Sequence, residues 1–297
     1  MRYRVLIFAL IFLSYATAEK YPATFTNVSY GPDERNVMDV WVIDSPTPTP
    51  VLIYMHGGGF VTGDKKYAQT DPILRQCMEK KIAVVSINYR FVTTHPYPAP
   101  MLDGKRALQF VRHNAKKWNI NKEKVALLGY SAGALMGLWL GLKNDMADPM
   151  NEDPVLREST RVQIVVPKQA PTSTDPIWIL QNIGGDERVY PSLLDFYGIE
   201  SFDEIYKPEI RKIAYDSSPI NFVSNDDPPV VMYYHGDLTT TPLAKDTPMN
   251  TSIHHPQFGV LLKKKMDALG LLSYVHYRSA GSKKTIISFL NEVFYKN

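Results

Sequence analysis

The sequence predicts one α/β domain: a doubly wound, mostly parallel sheet with an N-terminal antiparallel hairpin and a small helical cap insertion. Three observations carry this. Continuous apolar runs at residues 51–55, 82–87 and 125–128 suit strands buried on both faces. Helical stretches alternate with them, the pattern that right-handed crossovers turn into a parallel sheet. A Gly-x-Ser-x-Gly turn, Gly129 to Gly133, joins one of these strands to the helix after it.

From the N-terminus, Arg2 and Arg4 precede an apolar run over residues 5–13 and then Ala16-Thr17-Ala18, the make-up of a secretory signal with a small-residue cleavage site. The alternative, an N-terminal anchor, is disfavoured because the run is shorter than the roughly 20 residues of a span. The expectation is a secreted or periplasmic chain with residues 1–18 removed, residues 19–297 as a single domain, and no integral membrane span thereafter. Residues 23–30 and 37–42 read as a hairpin around Gly31-Pro32-Asp33-Glu34, and residues 46–50 as a proline-stiffened connector. Cys77 falls in a helix between residues 70 and 80. Residues 103–118 place Ala107, Phe110, Val111 and Ala115 on one helical face, while residues 132–142 are apolar nearly all round and belong deep in the core.

Beyond residue 144 the pattern loosens. Residues 162–166 read as a strand, and residues 177–218, rich in acids and in aromatics such as Trp178, Tyr190, Phe196 and Tyr206, read as short helices of a cap over the sheet edge. Two readings of the cap stay open, a specificity element and a structural insertion. Strands at 230–234 and 272–278 and helices at 256–269 and 284–294 complete the sheet.

Composition narrows the function. With 44% hydrophobic residues in 297, the chain can build one sizeable core. Without Arg2 and Arg4, the 33 basic residues become 31 against 30 acids, too balanced for a nucleic acid partner. The lone Cys77 rules out an intramolecular disulfide and thiolate-rich metal sites, and reads as a small buried hydrophobe. Asn27-Val28-Ser29 and Asn250-Thr251-Ser252 fit the glycosylation pattern of a eukaryotic exported protein.

The chemistry resides in two motifs. His56-Gly57-Gly58-Gly59-Phe60 follows one strand and can aim backbone N–H groups at an oxyanion. Gly129-Tyr130-Ser131-Ala132-Gly133 stands in the strand–turn–helix context of a nucleophile elbow, where small neighbours allow a strained serine and the helix start faces developing negative charge. A nucleotide-binding glycine turn is the rival, but no G-x-G-x-x-G pattern is present and it leaves His56 to Phe60 unexplained.

With these motifs, Tyr30-Gly31-Pro32, Asn88-Tyr89-Arg90 and Pro96 to Pro100 followed by Asp103, the chain resembles the α/β-hydrolase superfamily, and within it carboxylesterases of the hormone-sensitive-lipase and feruloyl/acetyl-xylan-esterase type. The resemblance covers most of residues 19–297. It implies the α/β-hydrolase fold, Ser131 as nucleophile, oxyanion N–H groups from Gly58, Gly59 and Ala132, a bracing role for His56, and no cofactor. Implied substrates are small-molecule esters or ester side groups of plant or algal polysaccharides.

The acid and the base depart from that pattern. Counted from His235-Gly236, the usual aspartate position holds Thr239; Asp237 lies two residues earlier and is equally a turn residue, with Asp246 a distant reserve. Ser282 stands where the family places histidine. His276 lies on its strand beside Tyr274, His113 on an exposed helix turn, and His95 before Pro96 in a loop. His254 and His255 remain as candidate bases, because a loop at the carboxyl ends of the strands can approach Ser131; a His-Pro pair capping the next helix is the alternative. A metal set of His254, His255, Asp237 and Asp246 is disfavoured, since adjacent histidines rarely turn both rings to one ion. A catalytically degenerate hydrolase that binds an ester or glycan is the rival reading from another class.

Overall fold

The apolar runs pair into one eight-stranded sheet in the computed structural model, which describes residues 21–186, 192–281 and 284–296. The expected signal at residues 1–18, Tyr190 of the cap and Ser282 lie outside these. β1 (Phe25–Ser29) and β2 (Val37–Trp41) form the antiparallel hairpin, and β2 pairs antiparallel with β4 (Ala83–Ile87). All further neighbours are parallel: β4 to β3 (Thr49–Met55), β3 to β5 (Ile120–Tyr130), then β6 (Ile164–Lys168), β7 (Val230–Tyr233) and β8 (Ser273–His276).

Each central strand alternates its apolar residues between two cores. Val51, Ile53 and Met55 join Val125 and Leu127 on one face, beneath α3 (Ala99–His113), α4 (Ala132–Leu142) and α9 (Gln257–Ala268). Leu52, Tyr54, Ala126 and Leu128 join the other, under α2 (Pro72–Glu79), which follows the single turn α1 (Tyr67–Thr70), and α10 (Ile286–Tyr295). This double burial is why the runs are unbroken in sequence. Cys77 is buried within α2, and burial pushes its thiol up to about 12, so it packs as a hydrophobe.

Three boundaries differ from the expectation. α3 begins at Ala99 because Pro100 is tolerated in a first helical turn, and it ends at His113, where Asn114 turns its side-chain amide back to the Phe110 carbonyl. β5 reaches back to Ile120, pairing with Thr49 of β3, so residues 49–50 extend that strand rather than the connector. β6 starts two residues later than expected, at Ile164. The cap is a set of short helices: α5 (Pro176–Asn182), α6 (Ser192–Tyr197), a 3₁₀ turn (Phe202–Tyr206) and α7 (Pro208–Asp216). It is tied down by Arg211 on the Asp175 carboxylate and by the Tyr197 hydroxyl donating to the Thr174 carbonyl at 2.7 Å.

Because β3, β5, β6 and β7 run parallel, the loops at their carboxyl ends meet along one edge of the sheet. One buried ion pair anchors that edge. Lys65 Nζ lies 2.8 Å from the Asp39 carboxylate, with both side chains under 5% exposed. The Lys65 main chain donates to Asn88 Oδ1 and accepts from Ser86 Oγ, so the segment after the glycine loop is bound to β2 and β4. Removing one partner strands a buried charge, so Asp39→Ala is expected to lower unfolding free energy in urea by about 3–5 kcal/mol.

Candidate active site

Ser131 occupies the turn between β5 and α4 with φ 52° and ψ −115°, a conformation that costs an L-residue about 1–3 kcal/mol. Its surroundings enforce that conformation. Ser131 N–H donates to the Lys168 carbonyl of β6 at 2.9 Å, and the Ser131 carbonyl accepts from Leu135 N–H of α4 at 2.9 Å. A side chain on Gly133 would meet the Met55 carbonyl at 2.2 Å, so only glycine lets α4 start this close to the end of β3.

The glycine loop lies against this turn. Gly58 has φ 111°, and a Cβ there would meet the Thr62 carbonyl at 2.1 Å; its own carbonyl accepts from Val61 and Thr62 N–H. Among the described residues, the N–H groups of Gly58, Gly59 and Ala132 have no hydrogen-bond acceptor. His56 is fully buried and stacks on Tyr89 at 4.2 Å, its Nδ1 2.7 Å from the Gly57 carbonyl, while the Tyr89 hydroxyl donates to the His56 carbonyl at 2.6 Å. Burial lowers His56 to about 4, so the ring is a neutral wedge under the loop at ordinary pH.

Of the sequence candidates, the structure brings His254 to Ser131. His254 Nε2 lies 2.9 Å from Ser131 Oγ, and its Nδ1 lies 2.9 Å from Oδ1 of Asn250. Asn250 lies in the one-turn helix α8 (Met249–Ile253), and His254 caps its C-terminal end, so the i, i+4 spacing stacks the two side chains on one face. Burial lowers His254 to about 4, partly offset by a hydrogen bond to the Asn250 main chain and further depressed by His235.

The neighbouring His255 turns the other way. It is buried, its Nδ1 accepts from Gln257 N–H at the start of α9, and its Nε2 lies 2.9 Å from Thr239 Oγ1. Asp237 lies across the loop, its carboxylate 3.7 Å from Arg278, and among the described residues it makes no hydrogen bond to His254. His276 packs among Tyr233, Tyr274 and Phe289 on the α10 side of the sheet, His95 pairs with Thr94, and His113 is exposed on α3.

Among the described residues, two spaces open at Ser131. A cavity of about 100 Å³ lies on the Ala132 side, walled by Leu135, Ile179, Leu193, Phe196, Ile253 and Phe258. A wider, open cleft of about 610 Å³ lies on the His254 side, lined by Gly58, Val61, Thr93, Tyr130, Met249 and Asp195 among others. Among the described residues no cluster of His, Cys, Asp and Glu is arranged to hold a metal, and no helix is long and apolar enough to cross a membrane.

The BD-FAE family profile matches residues 38–242, well over half of the chain. The chain belongs to the BD-FAE family. In sequence it is similar to Esterase LipC and Esterase LipQ of Mycobacterium tuberculosis, each 28% identical, over 70% and 73% of this chain and 49% of either relative. It thus spans about half the length of the curated relatives it matches. In structure it resembles the acetyl ester-xyloside bifunctional hydrolase of Caldicellulosiruptor lactoaceticus, with a TM-score of 0.67, 21% identity and coverage of 94% of this chain and 93% of the other. A truncated carbohydrate esterase from gut microbiota superposes with a TM-score of 0.65 at 22% identity, covering 87% and 88%. These likenesses establish the α/β-hydrolase fold.

The BD-FAE match stops at residue 242, short of both Asn250 and His254. Sequence reasoning passed over Asn250 as part of a glycosylation pattern. The signal that points to it is its spacing of four from His254. In this BD-FAE chain the His56 and His254 rings are expected to titrate near pH 4 in an NMR titration, since burial disfavours the imidazolium. A His254 midpoint at or above 6 contradicts the placement of its ring.

Proposed function

We propose that the chain is an exported serine hydrolase of carboxylic esters, with Ser131 as nucleophile and His254 as base. The observation that carries this reading is the 2.9 Å contact between Ser131 Oγ and His254 Nε2 beside the open N–H groups of Gly58, Gly59 and Ala132. The 2.9 Å separation is hydrogen-bond reach for general-base activation of a hydroxyl. The helix start at Ala132 adds a positive dipole end where negative charge develops.

The reaction runs in two halves. Ser131 Oγ attacks the ester carbonyl as its proton passes to His254 Nε2, and the three N–H groups bind the oxyanion. Collapse breaks the ester bond, His254 returns the proton to the departing alkoxide, and an acyl-serine remains. Water then gives a proton to His254 as it attacks the acyl carbon, and collapse breaks the acyl–Oγ bond as His254 passes that proton to Ser131 Oγ, releasing the acid and restoring Ser131.

The two spaces divide the substrate. The departing alcohol must lie where His254 can protonate it, which assigns it to the wide cleft lined by His254. The acyl group then takes the apolar cavity of about 100 Å³, whose small size favours short acyl chains such as acetyl to butyryl. A wide cleft for the alcohol and a small pocket for the acyl group fit short acyl groups on bulky alcohols, and the acetyl ester and carbohydrate specificities in the names of the similar structures favour ester side groups on polysaccharides. Export is favoured by Arg2, Arg4 and the apolar run before Ala18.

The test is hydrolysis of p-nitrophenyl esters alongside fluorophosphonate labelling. Ser131→Ala is expected to abolish labelling, and Ser131→Ala and His254→Ala each to lower kcat by about 10³-fold or more. His255→Ala is expected to lower thermal stability and leave turnover within a few-fold. Acetate and butyrate esters are expected to outpace octanoate, with Phe196→Ala narrowing that gap. A chain that is not labelled and turns over no ester of any length supports a ligand- or glycan-binding module instead.

A further inference from the structure

We propose that Asn250 positions His254, its side-chain carbonyl accepting the Nδ1 proton so that the bare Nε2 faces Ser131, which makes the machinery a Ser–His–Asn relay. The inference rests on the serine hydrolase reading above. Its basis is the pair of 2.9 Å contacts that string Ser131 Oγ, both ring nitrogens of His254 and Asn250 Oδ1 into one line. A neutral imidazole carries one proton. Because Oδ1 can only accept, the proton must sit on Nδ1, which leaves the Nε2 lone pair for the serine hydroxyl.

The groups facing His254 from the packed elements provide no carboxylate in that role. Tyr130 meets the ring from the elbow, and His235 and Asp237 with Arg278 border the adjoining cavity after β7. Asp195 faces it across the cleft from α6. Among the described residues neither aspartate hydrogen-bonds the ring, and Asp237 is turned toward Arg278. Asn250 is therefore the partner of Nδ1.

An amide is a different partner from a carboxylate in two ways. It carries no charge, so it does little to stabilise the imidazolium formed in the reaction. It also has two faces: rotated by half a turn, Nδ2 would donate to Nδ1, move the ring proton to Nε2 and disarm the base. In Ser-His-Asp proteases the aspartate-to-asparagine exchange lowers kcat about 10⁴-fold through this wrong tautomer. The relay of this chain is built to be slow, and a carboxylate at position 250 should accelerate it.

The experiment uses the full chain with ¹⁵N-labelled histidine, His254→Ala serving to assign the ring, together with kcat/KM against pH on p-nitrophenyl acetate. Wild type is expected to show the Nδ1-protonated tautomer. Asn250→Asp is expected to raise the His254 midpoint and the acid limb of kcat/KM together by about one to three pH units, and kcat by about tenfold or more. Asn250→Ala is expected to lower kcat about tenfold or more while KM stays within twofold. An Nε2-protonated wild-type ring, an unmoved midpoint in Asn250→Asp, or an Asn250→Ala profile superimposable on wild type overturns the relay. Ser131→Ala in the same assay separates the two claims. Unchanged turnover there refutes the serine reading, whereas the ring titration decides the role of Asn250 without any turnover.

Discussion

The contact that the site depends on is the near-collision of α4 with the end of β3. Gly133 lies against the carbonyls of Met55 and His56, Gly129 against Gly133, and Gly57 against Tyr130, at distances where any Cβ would overlap a neighbouring atom. The absence of side chains at these points brings the serine turn and the glycine loop together. It also holds Ser131 outside the relaxed backbone regions, with the sheet on one side and a buried helix on the other supplying the restraint.

Around that contact, polar groups fix the loops that apolar packing cannot orient. Lys65 and Asp39 bind the end of the glycine loop to the hairpin, and Arg90 grips the Asp103 carboxylate through Nε and Nη2, joining the loop after β4 to α3. The Tyr30 hydroxyl donates to the Asn88 carbonyl, and Arg35 donates to the Tyr89 carbonyl. The residues that marked the family resemblance, Tyr30, Asn88, Tyr89, Arg90 and Asp103, are thus one supporting network behind the glycine loop. Their hydrogen bonds, buried or partly buried, tie the loop to the sheet and to α3.

Most of the fold was legible because it is written in local patterns. Unbroken apolar runs report double-sided burial, and the two glycine motifs report close approach. The ends of α3 and β5 depart from the apolar period because Pro100 and Asn114, and pairing with Thr49, outweigh it. The site was legible only in part, for a geometric reason. His254 and His255 are adjacent, equally close in sequence to everything else, and yet one ring faces the serine 123 positions away while the other fills the floor beneath Thr239. Which ring goes where is set by the turn that α8 imposes, and five residues of mixed polarity carry almost no periodic signal. Asn250 was invisible for the related reason that an exposed asparagine fits turns, glycosylation patterns and hydrogen-bonded partners alike.

The shortness of α8 has its own consequence. Pro248 and Pro256 bracket the segment, and a single helical turn sets the angle between Asn250 and His254. Each residue of a helix advances the side chain by about 100°. An insertion or deletion of one residue between positions 250 and 254 would swing the ring round the helix axis and out of line with Ser131, whereas exchanges at the exposed Thr251 would leave that angle alone. The segment is therefore tolerant of composition and intolerant of length, the reverse of what is usual for a surface loop.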